Sequence, residues 1–237
     1  MKWLKRIGLS VLVIYCLVCV LVYRFQEYLI FFPAKLPENY QFQFEEPFEE
    51  MKIPVSEEVT LSAVRFKGSH SKGCIFYLHG NAGSVQSWGK VAKPYMDLGY
   101  DLFLFDYRGY GKSNGTIASE NALYSDLQVA YDSLLHYYPE DKITVLGHSL
   151  GTGLAAYVAS ENHPKQLILQ APYYSFKEMV EEHYPFLPTA LLRYQFPTWE
   201  YLNNNRVPVT VFHGDADQVI DYKNADLLLR PYYKPED

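Results

Sequence analysis

From residue 48 onward, short apolar runs alternate with stretches that have helical periodicity. The runs predicted as strands are FEEMKIP (48–54), VTLSAVRF (59–66), CIFYLH (74–79), YDLFLFD (100–106), ITVLG (143–147), QLILQ (166–170) and VPVTVFH (207–213). The stretches predicted as helices are 84–98, 119–138 and 150–160. Apolar strands that alternate with helices form a mostly parallel sheet covered on both faces. The sequence therefore predicts an α/β protein whose ligand site lies at the carboxyl ends of the strands.

The composition excludes several classes of protein. Apolar residues make up 49% of the 237 residues and charged residues 20%, which excludes a disordered chain. The formal net charge is -6, and no run of Lys and Arg provides the basic face of a nucleic-acid binder. The three cysteines cannot form a disulfide framework, and the His and Cys residues show no metal-ligand spacing. We therefore expect no nucleic-acid partner, no metal and no cofactor.

The amino terminus contains a continuous apolar run. Residues 7–23 (IGLSVLVIYCLVCVLVY) carry no charge, and as a helix they would span about 26 Å of a hydrocarbon core roughly 30 Å thick. The aromatic residues that follow suit the membrane interface: Phe25, Tyr28, Phe31 and Phe32. Residues 1–32 are therefore predicted to be a membrane anchor with an interfacial segment. A cleaved signal peptide, whose cleavage site the following residues match poorly, and a soluble core helix are the alternatives.

The charges beside this run predict its orientation. Lys2, Lys5 and Arg6 precede the run, whereas Arg24 follows it and is offset by Glu27. Because positive residues stay on the cytoplasmic side, we expect a cytoplasmic N-terminus and a main domain on the opposite side of the membrane. Residues 33–47 contain three prolines and are predicted to be an extended linker. Residues 48–237 then form the α/β domain.

A G-x-S-x-G motif, GHSLG, occupies residues 147–151 between a predicted strand and a predicted helix. This context is that of a nucleophile elbow, a tight turn that holds a serine hydroxyl at the top of the sheet. Ser149 is therefore the predicted nucleophile. The helix that begins here directs backbone N–H groups to the point where negative charge develops. A glycine-rich turn with an idle serine is the alternative.

A second loop, HGNAGS (79–84), follows the buried strand at 74–79. Its small residues permit a close approach to the nucleophile, so the backbone N–H groups of Asn81 and Leu150 are predicted to form an oxyanion hole. An ordinary turn between strand and helix is the alternative. His79 is interpreted as a structural histidine rather than a base.

A third loop, HGDAD (213–217), follows the strand at 207–213. A carboxylate in this position can hold a catalytic histidine in the correct tautomer. Asp215, Asp217 and Asp221 are all candidates for that role.

Five segments together resemble one family: LIFFP after the anchor, HGNAGS, FDYRGYGKSNG, GHSLG and HGDADQVID. They resemble the α/β-hydrolase family, in particular its membrane-anchored, single-pass serine hydrolases, over about residues 24–230. The resemblance implies the α/β-hydrolase fold, with Asp217 as the catalytic acid and residues 172–206 as a short lid. It also implies an esterase or thioesterase that acts on lipid-like or acylated substrates.

The chain departs from this family at the catalytic base. None of the seven histidines follows Asp217, although the triad order on this fold is serine, acid, histidine. We expect a chain truncated at its carboxyl end, with the last strand and helix of the fold missing. A natural hydrolase-like chain without its base is the alternative. His183, inside the predicted lid, is a minor candidate for a substitute base.

Two further hypotheses remain open at this stage. A catalytically inactive, membrane-anchored module would bind a lipid or a protein through the same cleft. A serine peptidase, or an enzyme that cleaves C–C bonds, would use the same fold for another reaction, because a fold does not fix its function.

Overall fold

The computed structural model describes residues 2–232. The strands in this part of the chain are β1 (Phe32–Pro33), β2 (Phe48–Pro54), β3 (Thr60–Phe66), β4 (Cys74–Leu78), β5 (Ala82–Gly83), β6 (Asp101–Phe105), β7 (Ile143–His148), β8 (Gln166–Gln170) and β9 (Val209–Phe212). The α-helices are α1 (Lys2–Ile30), α2 (Val85–Trp88), α3 (Ala92–Asp97), α4 (Glu120–Leu135), α5 (Gly151–Glu161), α6 (Phe176–His183), α7 (Thr198–Asn204) and α8 (Lys223–Leu229).

Seven of these strands form one sheet in the order β2-β3-β6-β4-β7-β8-β9. The pairs β2–β3 and β3–β6 are antiparallel, and every later pair in this order is parallel. The prediction of an α/β fold with a mostly parallel sheet is therefore confirmed. β1 and β5 form a separate parallel pair.

The central strands are buried on both faces. Every residue of β4 and β6 is buried, because α4 and α5 cover one face of the sheet and α2 and α3 the other. This packing fixes the carboxyl ends of β4 and β7 side by side, with Leu78 in register with Gly147. The HGNAGS loop and the GHSLG turn leave the sheet from these two neighbouring positions.

The helix predicted over 84–98 is broken in the structure, so that prediction was wrong. It consists of α2, a 3-10 turn at Gly89–Val91, and α3. A Cβ at position 89 would lie 2.3 Å from the Phe44 ring, so the backbone approaches this ring where a side chain does not fit. Pro94 also lacks the N–H that a regular helix uses. Helical periodicity is a local pattern and cannot predict the contact between Gly89 and Phe44, which are far apart in the sequence.

Among residues 2–232, α1 alone is long and apolar enough to cross a membrane, by length and composition. Its most apolar window has a mean hydropathy of 2.3, and no residue of that window is buried by the rest of the protein. The end of the helix joins the domain, because Ile30 and Phe31 are buried. The Phe31 ring contacts Tyr194 edge-on at 5.2 Å, so Phe31 is a core residue and not the interfacial residue that the sequence predicts.

The segment 33–47, predicted as a linker, lies against the domain. Ala34 N–H donates to Gly83 O at 2.9 Å, and Leu36 N–H donates to Gly111 O at 2.9 Å. The Phe42 ring is buried and stacks on Phe44. This segment therefore continues the fold between the anchor and β2.

Candidate active site

The GHSLG turn is a strained, tightly packed elbow. Ser149 has a φ of 52°, in the left-handed region that side chains other than glycine rarely adopt. A Cβ on Gly147 would lie 2.3 Å from Gly151 O, and a Cβ on Gly151 would lie 2.1 Å from Leu78 O. Both glycines are required because the turn presses against its own helix and against the end of β4.

The elbow leaves the side chain of Ser149 available. Ser149 N–H donates to Gln170 O at 2.9 Å, which extends the β7–β8 pairing by one residue beyond the strand. The residue is half-buried, and its hydroxyl has no hydrogen-bond partner within residues 2–232. The sheet thus holds the backbone of Ser149 without engaging its hydroxyl.

The two predicted oxyanion donors lie on adjacent segments at this edge. Asn81 is three residues beyond Leu78, and Leu150 follows Ser149 directly. Within the described part of the chain, the N–H groups of Asn81 and Leu150 donate to no protein acceptor. Both amides therefore remain able to donate to a bound group, as the predicted oxyanion hole requires.

His79 fixes the peptide that carries the Asn81 N–H. Its Nδ1 lies 2.7 Å from Gly80 O, and because a carbonyl only accepts, Nδ1 carries the hydrogen. The ring is fully buried between Trp88 and Tyr107, and burial lowers the pKa of His79 to about 4. The imidazole is therefore neutral at pH 7, and this burial supports a structural role.

Three other residues also hold the HGNAGS loop, and the sequence did not predict this role for any of them. Tyr110 donates its hydroxyl to Asn81 O at 2.6 Å, and Trp88 Nε1 donates to Ala82 O at 2.8 Å. The N–H of Phe32, the first residue of β1, points to Asn81 O at 3.4 Å. Tyr110 belongs to the FDYRGYG turn, which the sequence marks only as a loop at the border of the site.

The three candidate carboxylates in the loop after β9 have different environments. Asp215 is exposed, and Asp221 pairs with Lys223 at the start of α8. Asp217 Oδ1 instead accepts bonds from Val219 N–H at 2.8 Å and Ile220 N–H at 3.0 Å. Partial burial raises the pKa of Asp217, but these two bonds and the nearby His213 and His148 outweigh it, and the net pKa lies below its usual value.

Asp217 follows β9, which is two strands away from β7 and the elbow in the sheet. Its charge interacts with that of His148, the residue before Ser149, whose own pKa is lowered chiefly by burial. The ring of His148 packs on Trp88 at 5.3 Å and, among the described residues, forms no hydrogen bond with Ser149.

The histidines near the site are engaged elsewhere. His213 Nε2 donates to Ile220 O at 2.8 Å and lies 3.7 Å from Asp217 Oδ2. His183 is exposed on α6, with Nδ1 2.9 Å from Met179 O. In residues 2–232 no histidine is hydrogen bonded to Ser149, so we assign no base among them. The same residues contain no group of three or more His, Cys, Asp or Glu side chains that could hold a metal ion.

The predicted lid, 172–206, contains α6, α7 and a 3-10 turn at Thr189–Leu191. It is tied to α1 through Gln26, a buried side chain that the sequence did not single out. Gln26 Nε2 donates to Leu191 O at 3.1 Å, and its Oε1 accepts from Arg193 N–H at 2.8 Å. Glu27 pairs with Arg193 at 2.6 Å. The end of α1 thus contacts both the lid and, through β1, the HGNAGS loop.

A serine on a strained turn between a parallel strand and a helix, beside a glycine-containing loop from the next strand, defines the α/β-hydrolase fold. Solved structures agree. An esterase from Pyrococcus furiosus superposes with a TM-score of 0.65 at 20% identity, covering 85% of this chain and 83% of the esterase. A thioesterase domain from the curacin biosynthetic pathway gives a TM-score of 0.56 at 16% identity, over 78% and 89% of the two chains.

The sequence identifies the family. Residues 69–205 match the family Hydrolase_4, described as "Serine aminopeptidase, S33", and the chain belongs to this family within the α/β-hydrolase superfamily. An uncharacterised protein of Mycobacterium tuberculosis is 30% identical, covering 92% of this chain and 79% of that protein. Protein bem46 of Schizosaccharomyces pombe is 27% identical over 95% and 81%. The lysophosphatidylserine lipase ABHD12 of Danio rerio is 31% identical over 67% of this chain, which spans 46% of the lipase.

Proposed function

We propose that this protein is a serine hydrolase that cleaves carboxylic ester or thioester bonds, with Ser149 as the nucleophile. The observation that carries the proposal is the strained elbow, where a half-buried serine has a φ of 52°. The N–H of the next residue, Leu150, and that of Asn81, on the loop after the neighbouring strand, have no protein acceptor in residues 2–232. Ser149 attacks the acyl carbonyl, and the Asn81 and Leu150 N–H groups bind the resulting oxyanion. In this mechanism Asp217 orients a histidine that takes the proton of Ser149. Because we assign no such histidine in residues 2–232, imidazole supplies the base in the assay below, and water then releases the acyl group from Ser149.

We propose a lipid-like or acylated substrate. One relative acts on lysophosphatidylserine by its name, and α1 gives this chain a helix of the length and composition that cross a membrane. The proposed division of the chain is an anchor at 1–32, a connecting segment at 33–47 and a hydrolase domain from 48 onward, with a lid at 172–206. Lys2, Lys5 and Arg6 before the apolar run support a cytoplasmic N-terminus, with the domain on the other side of the membrane.

Hydrolysis assays on the whole chain in detergent micelles test this proposal. The substrates are p-nitrophenyl butyrate and 1-oleoyl-lysophosphatidylserine, with imidazole supplied as a diffusible base. We expect both to be cleaved, with a rate lowered at least about 10³-fold in Ser149→Ala. Ser160→Ala, at the far end of α5, is the matched control and should keep the full rate. Equal rates for wild type and Ser149→Ala would exclude Ser149 as the nucleophile.

A peptidase is the second candidate, and the description of the family as a serine aminopeptidase favours it. Leucine p-nitroanilide in the same assay separates the two. A turnover of the anilide that exceeds that of both esters would replace the esterase proposal by a peptidase. If no substrate is cleaved while the lipid still binds, the inactive binding module is the better description.

A further inference from the structure

The tip of the lid lies along the anchor helix. The Tyr15 hydroxyl donates to Phe186 O at 2.9 Å, while Leu191 and Arg193, a few residues on, contact Gln26. The segment from 191 back to 186 therefore runs down α1 from its carboxyl-terminal end toward its middle. This direction leads away from the hydrolase sheet and along the apolar surface of the helix.

The position of Tyr15 gives the depth of the tip. Tyr15 is at the centre of the uncharged run 7–23, eight residues before Tyr23. At the rise of an α-helix, eight residues correspond to about 12 Å along the axis. If α1 spans a bilayer, Phe186 thus lies well below the level of Arg24, within the hydrocarbon region.

The composition of the tip suits that environment. Residues 184–192, YPFLPTALL, carry no charge, and they lie between Glu182-His183 and Arg193. The side chains of Tyr184 and Phe186 are 52% and 61% exposed, although both are large and apolar in their rings. Exposed aromatic residues that touch a candidate membrane helix indicate a lipid-facing surface.

The backbone of the tip is paired with protein groups at several positions. Pro185 and Pro188 have no N–H to satisfy. The carbonyls of Tyr184 and Pro188 accept bonds from Leu187 N–H and Leu191 N–H, both within the segment. Phe186 O and Leu191 O accept bonds from α1. Irregular backbone is tolerated at membrane depth where protein groups pair it in this way.

Four cations line a cavity at the end of α1, at the level where phosphate groups would lie. A cavity of about 480 Å³ at the carboxyl-terminal end of α1 is lined by Arg24, Lys35, Arg108 and Arg193, with Glu27 as the one carboxylate in its lining. Arg108 pairs with the buried Asp126 and Arg193 pairs with Glu27, whereas Arg24 and Lys35 have no ion-pair partner in the described residues. Their charge complements the phosphate groups of a lipid headgroup layer.

We propose that the lid tip, residues 184–192, inserts into the leaflet on the domain's side of the membrane. The cations at the end of α1 lie in the headgroup layer. The carboxylate of Glu182 on α6 stays above the hydrocarbon and limits the depth of insertion. Glu181, whose Oε1 accepts a bond from Thr189 Oγ1 at 3.0 Å, lies at the border between headgroups and hydrocarbon. The partner is the bilayer itself, and the surface continues the one that α1 provides. This inference depends on α1 being a membrane span, but not on any catalytic activity.

Photo-crosslinking of the whole chain in phosphatidylcholine vesicles tests the proposal. The photoreactive residue p-benzoylphenylalanine replaces Phe186 in one variant, and the lipid carries an alkyne on its acyl chain. Leu12, 57% exposed on α1, is replaced as the positive control. Tyr137 is 49% exposed, lies just beyond α4 at the opposite edge of the sheet, and is the negative control.

We expect lipid adducts at positions 12 and 186, with a yield at 186 at least five times that at 137. Adducts at 12 with a yield at 186 no higher than at 137 would overturn the insertion of the lid tip while leaving the anchor intact. The absence of adducts at position 12 would overturn the membrane span and this inference together. None of these outcomes depends on hydrolysis, so a failure here is distinct from a failure of the proposed function.

Discussion

At the residue scale, the elbow depends on two positions where a side chain is absent. Gly147 and Gly151 place backbone against backbone, and this allows the strained φ of Ser149 to persist because the surrounding contacts over-determine it. The spacing G-x-S-x-G already suggests this turn, but the partner that makes Gly151 necessary is Leu78 O, on another strand. The sequence motif thus predicts the tight turn, and the fold shows why glycine is required at its two ends.

Gly151→Ala is expected to destabilise the protein and to move the oxyanion loop. The new methyl group would lie 2.1 Å from Leu78 O and 2.8 Å from His79 O, the residues that lead into Asn81. We expect the free energy of unfolding in urea to fall by at least about 2 kcal/mol. In Gly214→Ala the methyl meets nothing within 4 Å, so the expected change is under about 0.5 kcal/mol. Similar losses in both variants would contradict the packing argument.

Asp106 is a buried carboxyl group beside the site. Its Oδ1 accepts a bond from Val85 N–H at 2.7 Å, while Oδ2 has no partner in residues 2–232. Burial raises the pKa of Asp106 to about 7, against the opposing effect of the Val85 bond. Since the folded state holds a proton that the unfolded chain releases near pH 4, Asp106 makes the protein less stable as the pH rises from about 4 to 7.

Asp106→Asn removes this titration and keeps the acceptor for Val85. We therefore expect the variant to gain stability relative to wild type as the pH rises from 4 to 7, by a slope of at most about 1.4 kcal/mol per pH unit. Urea unfolding of both proteins at four pH values gives the difference in their free energies of unfolding. His79 makes both proteins more stable as the pH rises, and this contribution cancels in the difference. A difference independent of pH would show that Asp106 titrates at its ordinary value.

At the scale of elements, the sequence predicts strands better than connections. Six strands, β2, β3, β4, β6, β7 and β8, begin and end within one residue of their predicted bounds. A strand is encoded locally, by a continuous apolar run where it is buried on both faces, as in β4 and β6, and by alternation where it is not, as in β2. The split of 84–98 at Gly89, and the packing of 33–47 on the domain, depend on distant partners such as Phe44 and Gly111. A local sequence pattern cannot predict those contacts, and it cannot predict the hydrogen bonds between α1 and the lid either.

Gln26→Ala is expected to release the lid from α1. The change removes the donor to Leu191 O and the acceptor for Arg193 N–H, and it leaves both backbone groups unpaired at a cost of about 1–3 kcal/mol each. Hydrogen exchange over residues 185–195 should become faster, with exchange in β4 unchanged. Gln86→Ala, at an exposed position on α2, is the control and should change neither. Unchanged exchange in the lid of Gln26→Ala would exclude this contact as its tether.

At the scale of the whole molecule, topology places residues that are far apart in sequence at one edge of the sheet. The order β4-β7-β8-β9 brings the loops after these strands to one edge of the sheet. Asn81, Ser149 and Asp217 share that edge although the first and last are 136 positions apart in the sequence. A parallel sheet and the position of each motif after a strand are sufficient to predict this gathering. They do not predict that Tyr110 and β1 hold the Asn81 loop, because that arrangement needs the path of the anchor across the domain.

The charges beside α1 give a prediction about the entire protein. With a cytoplasmic N-terminus, the hydrolase domain should be protected from external protease in sealed vesicles whose lumen corresponds to the non-cytoplasmic side. Replacing Lys2, Lys5 and Arg6 by Gln should expose the domain in a large fraction of molecules, because the charge difference across α1 is then lost. Equal protection of wild type and the triple variant would show that these residues do not set the orientation.

The proposed function depends on Ser149 being a reactive nucleophile beside free amides. Fluorophosphonate labelling of the whole chain, with imidazole as a diffusible base and mass spectrometry of the labelled peptide, measures this directly. We expect a phosphonyl adduct on Ser149 that disappears in Ser149→Ala and persists in Ser160→Ala. An adduct on another serine, or labelling that survives in Ser149→Ala, would contradict it.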